Sequence, residues 1–276
     1  MPFATGASNN RIHYRTFGEP GRPAVVLIQG LGLSGRFWFV LPEELARAGY
    51  RVLVPDNRGT GGSELPQRPF PMTAMADDVA AVLDAEGIER AIVAGISMGG
   101  MIAQHVAIRH ARRVAGLVLM ATTCGLPHGK LPSPAAIRML VSLPFARGRE
   151  ASRRMAEILL PRTEIPRAHE HLADWPQALA EEPPVPRSFF MQLGAVMTHS
   201  TGARLHEIRC RTLVLAGEQD ILIPPDNSRI LADRIPGATL ELLPHCAHAI
   251  PVLDRTALHR SITHVSTRAP QLGDGE

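Results

Sequence analysis

The sequence predicts an α/β fold in which helices flank a mostly parallel central sheet. Short apolar runs rich in β-branched residues alternate with longer stretches that suit helices. Hydrophobic residues make up 45% of the 276 positions and charged residues 20%, which supports one sizeable core rather than several. The alternation stops once, between about residues 125 and 205, and then resumes. The hydrophobic content and the alternation of apolar segments also exclude a chain that is disordered throughout.

The first part of the chain contains five predicted strands and, before the fourth of them, two predicted helices. The strands are Ile12 to Phe17, which forms the second arm of an opening hairpin, Ala24 to Gln29, Arg51 to Pro55, Ala91 to Ala94 and Val114 to Ala121. The helices are Phe37 to Ala48, stopped by Gly49, and Thr73 to Glu86, with Thr73 as N-cap and Gly87 at its end. Strands separated by helices favour parallel pairing.

The second part begins with a segment that does not continue the sheet. Prolines recur between residues 125 and 205 and interrupt short helical patterns there. The pattern then resumes with a strand from Thr212 to Ala216, a helix from Ser228 to Arg234, a strand from Thr239 to Leu243 and a last helix from about Val252. We therefore expect a core formed by residues 1–124 and 206–268, a helical insertion over 125–205, and a frayed tail over 269–276.

Charge and cysteine content give little support to several classes of protein. The net charge is only +3, and Lys130 is the one lysine among 29 basic residues. Capture of nucleic acid is not expected from such a near balance. The three cysteines lie far apart and suggest neither a disulfide framework nor a zinc site. No spacing of histidines predicts a metal site, and no metal or cofactor is expected.

The first residues lack both a basic and an apolar signal region, so a cytoplasmic protein is expected. Residues 91–108 carry no charged side chain over a length close to that of a membrane span. Gly95, Gly99 and Gly100 interrupt this stretch, however, and favour a strand, a tight turn and a buried helix. No membrane span is predicted, and the oligomeric state is left open.

The most informative residues are Gly95-Ile96-Ser97-Met98-Gly99, between an apolar strand and a predicted helix. A serine at such a sharp strand-to-helix turn exposes its Oγ at the helix N-terminus, and small neighbours allow the close backbone approach. The Met98 N–H and the helix dipole then face a developing oxyanion. The pattern occurs by chance in other proteins, where it only packs a helix on a sheet, so its weight comes from the flanking elements.

A serine nucleophile needs a base, and the base needs an orienting carboxylate. Asp220 follows the strand that ends at Ala216, and His248 lies in a loop after the last predicted strand. The chain order Ser97, Asp220, His248 is the order expected for this architecture. His245 is an alternative base, and Glu218 is interpreted as a solvated loop acid.

These motifs, with Asp56-Asn57-Arg58-Gly59-Thr60-Gly61-Gly62-Ser63 after the strand over residues 51–55, resemble the α/β-hydrolase superfamily over nearly the whole chain. The resemblance implies Ser97 as nucleophile, His248 as general base and acid, and Asp220 as orienting carboxylate. It also implies that the insertion is a helical cap over the active site. Asp56 and Arg58 are expected to brace their loop.

In that family the second oxyanion donor is the backbone N–H just after a His-Gly pair. Here the pair is Gln29-Gly30, which nominates Leu31 beside Met98. The glutamine departs from the family pattern, and the backbone N–H can still serve because the amide, not the side chain, contacts the oxyanion. We expect the substrate pocket to include Gly30, Trp38, Met139, Phe190 and Met191, because the apolar clusters of the insertion can face Ser97.

The sequence thus predicts a cofactor-independent serine hydrolase that cleaves a small or medium-sized carboxylic ester or lactone, a small-molecule substrate, through an acyl-enzyme. Three alternatives stay open. A perhydrolase or haloperoxidase-like activity would use the same triad, and a weakly catalytic ligand receptor or signalling partner would retain the fold. The segment from Gly30 to Gly35 also imitates a dinucleotide-binding fingerprint, which would indicate an NAD-dependent oxidoreductase.

Overall fold

The computed structural model describes residues 2–146 and 148–266. The strands are β1 (Phe3–Thr5), β2 (Arg11–Phe17), β3 (Ala24–Ile28), β4 (Arg51–Pro55), β5 (Ala91–Ile96), β6 (Val114–Met120), β7 (Thr212–Gly217) and β8 (Thr239–Leu243). They form one eight-stranded sheet in the order β1-β2-β4-β3-β5-β6-β7-β8. The pairs β1/β2 and β2/β4 are antiparallel, and the other neighbours are parallel. The predicted α/β class is confirmed, and the tail over 269–276 lies outside the described residues.

Helices cover both faces of this sheet. They are α1 (Leu41–Arg47), α2 (Met72–Ala85), α3 (Met98–Arg109), α4 (Pro134–Ser142), α5 (Gly148–Leu159), α6 (Ala168–His171), α7 (Trp175–Glu181), α8 (Pro186–Met197), α9 (Asp226–Arg234), α10 (Ile250–Leu253) and α11 (Arg255–Ser266). Helices α2, α3 and α9 contribute to the apolar core on one face. Helices α1, α10 and α11 contribute to the core on the other face. Every residue of β3 and β5 is buried, as expected for strands covered on both sides.

The helix predicted over Phe37 to Ala48 is wrong in its bounds. A 3-10 turn over Gly35–Trp38 comes first, and α1 begins only at Leu41. Phe39 lies between them with φ at 49°, a left-handed conformation that a continuous helix does not allow. The glycine-rich segment from Gly30 to Gly35 is therefore followed by a short turn instead of the helix that a dinucleotide fingerprint opens.

Two other helix boundaries also differ from the predicted ones. Helix α2 has Pro71 in extended conformation as its N-cap, so Thr73 lies inside the helix and is not the cap. The last helical region is divided into α10 and α11 at Asp254. The Asp254 carboxylate accepts hydrogen bonds from the Thr256 and Ala257 N–H groups and so caps a new helix.

Helices α4 to α8 lie between β6 and β7 and form a layer over the carboxyl ends of the strands. An isolated antiparallel bridge between Gly125 and Ser200 joins the two ends of this segment. A third apolar cluster connects the layer to the core, because it combines Trp175 of α7 with Phe37 and Leu222 of the core loops. We refer to residues 125–205 below as the cap.

The strand order creates a crevice at one edge of the sheet. The chain passes from β3 through α1 to β4 on one side, and returns through α2 to β5 on the other side of β3. Ile28 at the end of β3 pairs with Gly95 near the end of β5, so the loops that follow both strands are neighbours. Ligands bind at such reversal points in open α/β sheets.

Within the described ranges, no helix combines the length and the apolar character that crossing a bilayer requires. The uncharged stretch over residues 91–108 forms β5, a turn at Ser97 and most of α3, as the sequence predicts.

Candidate active site

Ser97 occupies the turn between β5 and α3 in a backbone conformation that few residues adopt. Its φ is 56° and its ψ is −121°, and α3 begins at the next residue, Met98. Such a conformation costs about 1–3 kcal/mol for a residue with a Cβ and persists only where neighbours enforce it. The Ser97 N–H donates to the Met120 carbonyl, and the Ser97 carbonyl accepts from the Thr122 hydroxyl at 2.7 Å. These contacts fix the turn and leave the serine side chain at the carboxyl edge of the sheet.

The glycines around Ser97 are required by space. A Cβ at Gly95 would overlap the Gly99 carbonyl, and a Cβ at Gly99 would overlap the carbonyl of Ile28 on β3. A side chain at either position would therefore push α3 away from the sheet. The sequence interpretation of this motif, in which small residues permit a close backbone approach, agrees with these contacts.

His248 and Asp220 form a buried pair beside this turn. The His248 Nδ1 atom lies 2.8 Å from Asp220 Oδ2, and each residue is 5% exposed. The other oxygen, Oδ1, accepts hydrogen bonds from the N–H groups of Leu222 and Ile223 at 2.8 and 2.9 Å. Because the carboxylate only accepts, Nδ1 carries the proton and Nε2 is left with a lone pair.

Ser97 and His248, which the sequence nominated as nucleophile and base, line the same cavity. Among the hydrogen bonds of the described residues, none joins these two side chains; such contacts often tighten only when substrate binds. His245 is exposed and outside the described lining of the cavity, which favours His248 over the alternative base. Glu218 is exposed, as predicted.

The loop after β3 presents one free amide between two occupied ones. The Gly30 N–H donates to the side-chain oxygen of Gln29, and the Gly32 N–H donates to the side-chain oxygen of Gln192, each at 2.8 Å. Leu31 N and Met98 N act as donors in none of the described hydrogen bonds. A Cβ built on Gly30 would lie 3.4 Å from the Ser97 Cβ, so this loop directly adjoins the serine. Both nominated amides are thus positioned beside Ser97 and available to an oxyanion.

Gln29 and Gln192 brace the loop after β3, in which glutamine replaces the histidine of the family pattern. Gln29 braces the loop through its own side chain, and its carbonyl accepts from the Asn57 amide at 2.9 Å. Gln192, on α8 of the cap, is fully buried and also donates to the Arg58 carbonyl at 2.8 Å. Sequence reasoning missed Gln192, and the only signal was a polar residue within an apolar stretch of a helix.

The neighbouring loop is braced as the sequence predicts, through partners that the sequence did not identify. The Asp56 carboxylate accepts from the Gly35 N–H at 2.7 Å and the Gly62 N–H at 3.0 Å, and lies 2.6 Å from His13 Nδ1. The Arg58 guanidinium forms an ion pair with the carboxylate of Asp78. These contacts hold the loop after β4 against the loop that carries Leu31.

The cavity has a volume of about 530 Å³ and is lined mainly by apolar side chains of the core and the cap. Gly30 and Trp38 lie in its wall, as predicted. The cap residues in its wall include Ile137, Leu140 and Val141 of α4, and Leu193, Val196 and Met197 of α8. Each triplet has the spacing of one helical face.

Met139, Phe190 and Met191, which the sequence nominated for the substrate pocket, are all outside the described lining of this cavity. Met139 packs in the cluster that joins cap and core, and Met191 packs against the core on the α3 side. Phe190 is 41% exposed, and its ring centroid lies 5.9 Å from that of Phe145. The sequence nominated apolar clusters of the insertion, and the structure shows that other residues of the same clusters line the cavity.

A second buried pair, His105 and His199, lies at the edge of the cavity, which His199 lines. His199 Nε2 is 3.1 Å from the Thr123 carbonyl, so it carries the proton, and His199 Nδ1 accepts from His105 Nε2 at 3.1 Å. Burial lowers the pKa of His105 to about 4 and the pKa of His199 to about 3. Both rings are neutral at pH 7, and nothing in their contacts uses them as acids.

The described residues contain no cluster of three or more histidine, cysteine or carboxylate side chains that would hold a metal ion. The three cysteines are unpaired, and burial raises the pKa of the Cys246 thiol to about 11, which makes it a poor nucleophile.

Comparisons with known proteins agree with this architecture. A family model described as the alpha/beta hydrolase fold matches residues 23–153. "Putative carbamate hydrolase RutD" of Variovorax paradoxus (strain S110) is 31% identical over 264 residues, which cover 95% of this chain and 98% of the relative.

Two solved structures cover nearly all of the chain. The enol-lactonase from Burkholderia xenovorans LB400 has a TM-score of 0.81 at 25% identity, with 97% of this chain and 100% of that chain covered. The esterase RhEst1 from Rhodococcus sp. ECU1013 has a TM-score of 0.79 at 27% identity, with 96% and 98% covered. The order of the strands and the turn at Ser97 agree with the similarity over nearly the full length of the chain. The chain therefore belongs to the α/β-hydrolase family.

Proposed function

We propose that the protein is a cofactor-independent serine hydrolase that cleaves a small or medium-sized carboxylic ester or lactone. Ser97 is the nucleophile, His248 the general base and then the general acid, and Asp220 the carboxylate that orients the imidazole. The observation that carries this proposal is that Ser97 and His248 line one cavity, while Asp220 holds the Nδ1 side of His248.

In the proposed reaction, the Ser97 oxygen bonds to the carbonyl carbon of the substrate while its proton passes to His248 Nε2. The carbonyl oxygen becomes an oxyanion that accepts hydrogen bonds from the N–H groups of Leu31 and Met98. The carbon–oxygen bond to the alcohol then breaks, and His248 returns the proton to the leaving alkoxide. Water hydrolyses the acyl-enzyme by the same steps, with His248 as base.

The size and chemistry of the cavity support an ester or lactone. A volume of about 530 Å³ lies within the range of about 300–1,000 Å³ that ligand sites usually occupy. Its mainly apolar wall suits an acyl chain or a lactone with an apolar substituent. Two structurally similar proteins are named an enol-lactonase and an esterase, and both reactions transfer an acyl group from oxygen.

A carbamate is the second candidate substrate. Several relatives with 31–32% identity carry the name "Putative carbamate hydrolase RutD", and a carbamate carbonyl would accept the same attack by Ser97. The large apolar cavity nevertheless exceeds what a simple carbamate needs, and this favours the ester or lactone.

The test is hydrolysis of p-nitrophenyl butyrate by wild type and by Ser97→Ala. We expect the variant to lose about 10⁴-fold or more in kcat, as when a triad nucleophile is removed. Ser261→Ala is the matched control, because Ser261 is buried in α11 and its hydroxyl bonds only to the Ala257 carbonyl among the described contacts. Turnover that survives Ser97→Ala would refute the proposal.

A substrate panel then separates the two candidates. We expect kcat/KM to be highest for aryl butyrates or for alkyl-substituted γ-lactones, and much lower for phenyl carbamate. The reverse order would favour the carbamate and retain Ser97 as nucleophile.

A further inference from the structure

Lys130, the one lysine of the chain, lies in the wall of the cavity. Within the described lining it is the only lysine or arginine, and that lining contains no aspartate or glutamate. The 28 arginines that make up the rest of the basic side chains lie elsewhere or outside the described residues. The wall of this largely apolar cavity thus includes one residue with a positive charge, together with Ser97 and His248.

Within the part of the chain that the structure describes, the Lys130 ammonium has no ion pair or hydrogen bond. Arginines elsewhere, such as Arg153 and Arg260, contact carboxylates. Lys130 is exposed, so its ammonium stays hydrated and available to a ligand anion. An anion bound there would meet no acidic side chain in the described wall of the cavity.

The backbone of Lys130 is held in place by one buried side chain. Asn227 of α9 is fully buried; its side-chain oxygen accepts from the Lys130 N–H at 2.8 Å, and its amide donates to the Lys130 carbonyl at 3.0 Å. The same oxygen accepts from the Thr123 hydroxyl, and the amide donates to the Pro224 carbonyl. All four hydrogen-bonding positions of the asparagine are occupied, so the loop position of Lys130 is well defined.

Exposed apolar side chains line the cavity together with Lys130. Leu126, Leu131, Ile137 and Met197 all line the cavity, and each is also exposed to solvent. They offer contact to an alkyl chain that runs from Ser97 towards the surface. The wall therefore combines a long apolar path with one positive charge.

We infer that the natural substrate is an amphipathic anion, an ester or lactone whose apolar chain carries a carboxylate remote from the scissile carbonyl, and that Lys130 binds this carboxylate. The inference rests on the proposed function and specifies its substrate class. Lys130 acts on binding and specificity, while Ser97 and His248 carry out the chemistry.

The first experiment compares two eight-carbon acyl substrates, p-nitrophenyl octanoate and the mono-p-nitrophenyl ester of octanedioic acid. Wild type should prefer the anionic ester, and Lys130→Met should lower that preference about fivefold or more, mainly through KM. Lys130→Arg should restore most of it. Arg112→Met is the matched control, because Arg112 is exposed after α3, lies outside the described lining and carries the same charge.

A second substrate pair locates the carboxylate within the substrate. Phenyl butyrate and 4-carboxyphenyl butyrate place the charge on the alcohol instead of the acyl chain. A Lys130-dependent preference in either pair supports the inference and shows which half carries the anion. Added salt should weaken that preference in wild type and not in Lys130→Met.

The outcome that overturns the inference is a preference in both pairs that Lys130→Met leaves unchanged, or changes no more than Arg112→Met does. Ester hydrolysis that still depends on Ser97 would then leave the proposed function intact.

If Ser97→Ala shows the proposed function to be wrong, a measurement of ligand binding tests whether Lys130 binds an anion. The two tryptophans of the chain, Trp38 and Trp175, both line the cavity and report ligand binding by fluorescence. Lys130→Met should weaken octanoate binding about fivefold and leave octanol binding unchanged, and equal effects on both ligands would refute a role in binding anions.

Discussion

The Asp220 carboxylate is fixed at both of its oxygens, and this decides how it holds His248. The backbone N–H groups of Leu222 and Ile223 occupy Oδ1, which leaves Oδ2 for the imidazole. A carboxylate has no donor, so the histidine must present a proton to it. The backbone of one loop thereby selects the tautomer whose Nε2 can accept a proton from Ser97.

This arrangement predicts a specific effect of Asp220→Asn. The amide oxygen should keep the two backbone hydrogen bonds, so the new NH₂ group must face His248 Nδ1. The ring would then carry its proton on Nε2 and could not accept the serine proton, which lowers kcat by on the order of 10⁴-fold. Steady-state hydrolysis of p-nitrophenyl butyrate measures this change. Glu218→Gln, at the exposed acid two residues earlier, should have wild-type activity; equal losses in both variants would contradict the tautomer argument.

At the residue scale, the sequence identified the groups that follow strands and missed those that depend on distant contacts. Ser97, Asp220 and His248 each follow a strand, and the strand pattern alone places them at one edge. Gln192 contacts Gly32 across 160 positions of sequence, and the pairing of His105 with His199 spans 94. No local pattern encodes such contacts, because they arise only when the cap packs on the core.

At the scale of elements, the turn at Ser97 depends on how closely α3 approaches β3. The Gly99 position faces the Ile28 carbonyl so closely that no Cβ fits between them. The overlap involves backbone on both sides, which cannot move aside as a flexible side chain does. The serine conformation is therefore maintained by the packing of two elements.

Two glycine substitutions test this packing. Gly99→Ala should lower the free energy of unfolding by about 3 kcal/mol or more, in the range of severe overpacking. Gly194→Ala is the control: Gly194 lies on an exposed part of α8, where an added Cβ meets no atom within 4 Å, so it should stabilise by about 0.5–1 kcal/mol. Urea unfolding of both variants measures the difference. A Gly99→Ala protein as stable as wild type would show that α3 can shift without cost.

The sequence predicted the buried strands well and the helices of the cap poorly, and the difference has a physical reason. The buried parallel strands form continuous apolar runs, which the sequence displays directly. The helix over residues 37–48 was predicted with the wrong bounds. Pro42 lies in the first turn of α1, where proline favours a helix start, and the sequence interpretation overlooked it. The positive φ of Phe39 just before that turn has no glycine to mark it. The cap helices were predicted only as a region, and an apolar stretch alone could not distinguish the face that lines the cavity from the face that packs on the core.

At the scale of the whole molecule, the fold class follows from the alternation of strands and helices, and the site follows from the order of the strands. The return of the chain across β3 brings the loop with Leu31 next to the turn with Ser97. The cap then closes the crevice and buries polar groups that the core alone would leave in water. His105 and His199 are such groups, since α3 carries one and the end of the cap carries the other.

The buried histidine pair makes the stability of the folded protein depend on pH. Burial lowers the pKa of His105 to about 4 and that of His199 to about 3, whereas both return to about 6.5 in the unfolded chain. Between these values the unfolded state binds more protons, so the stability present above pH 6.5 is lost as the pH falls. One histidine with such a shift accounts for about 2 kcal/mol between pH 7 and pH 5.

Thermal unfolding between pH 7 and pH 5 measures this dependence. The Tm of wild type should fall over this range, and His105→Gln should fall less, because glutamine still donates to His199 Nδ1 and cannot be protonated. His169→Gln, at an exposed histidine of the cap, should follow wild type. If His105→Gln loses as much Tm as wild type, the acid sensitivity between pH 7 and pH 5 does not arise at His105. A smaller loss of Tm in His105→Gln than in wild type would show that acid destabilises the protein at the contact between cap and core. Protonation of either ring places a charge where α3 meets the end of the cap.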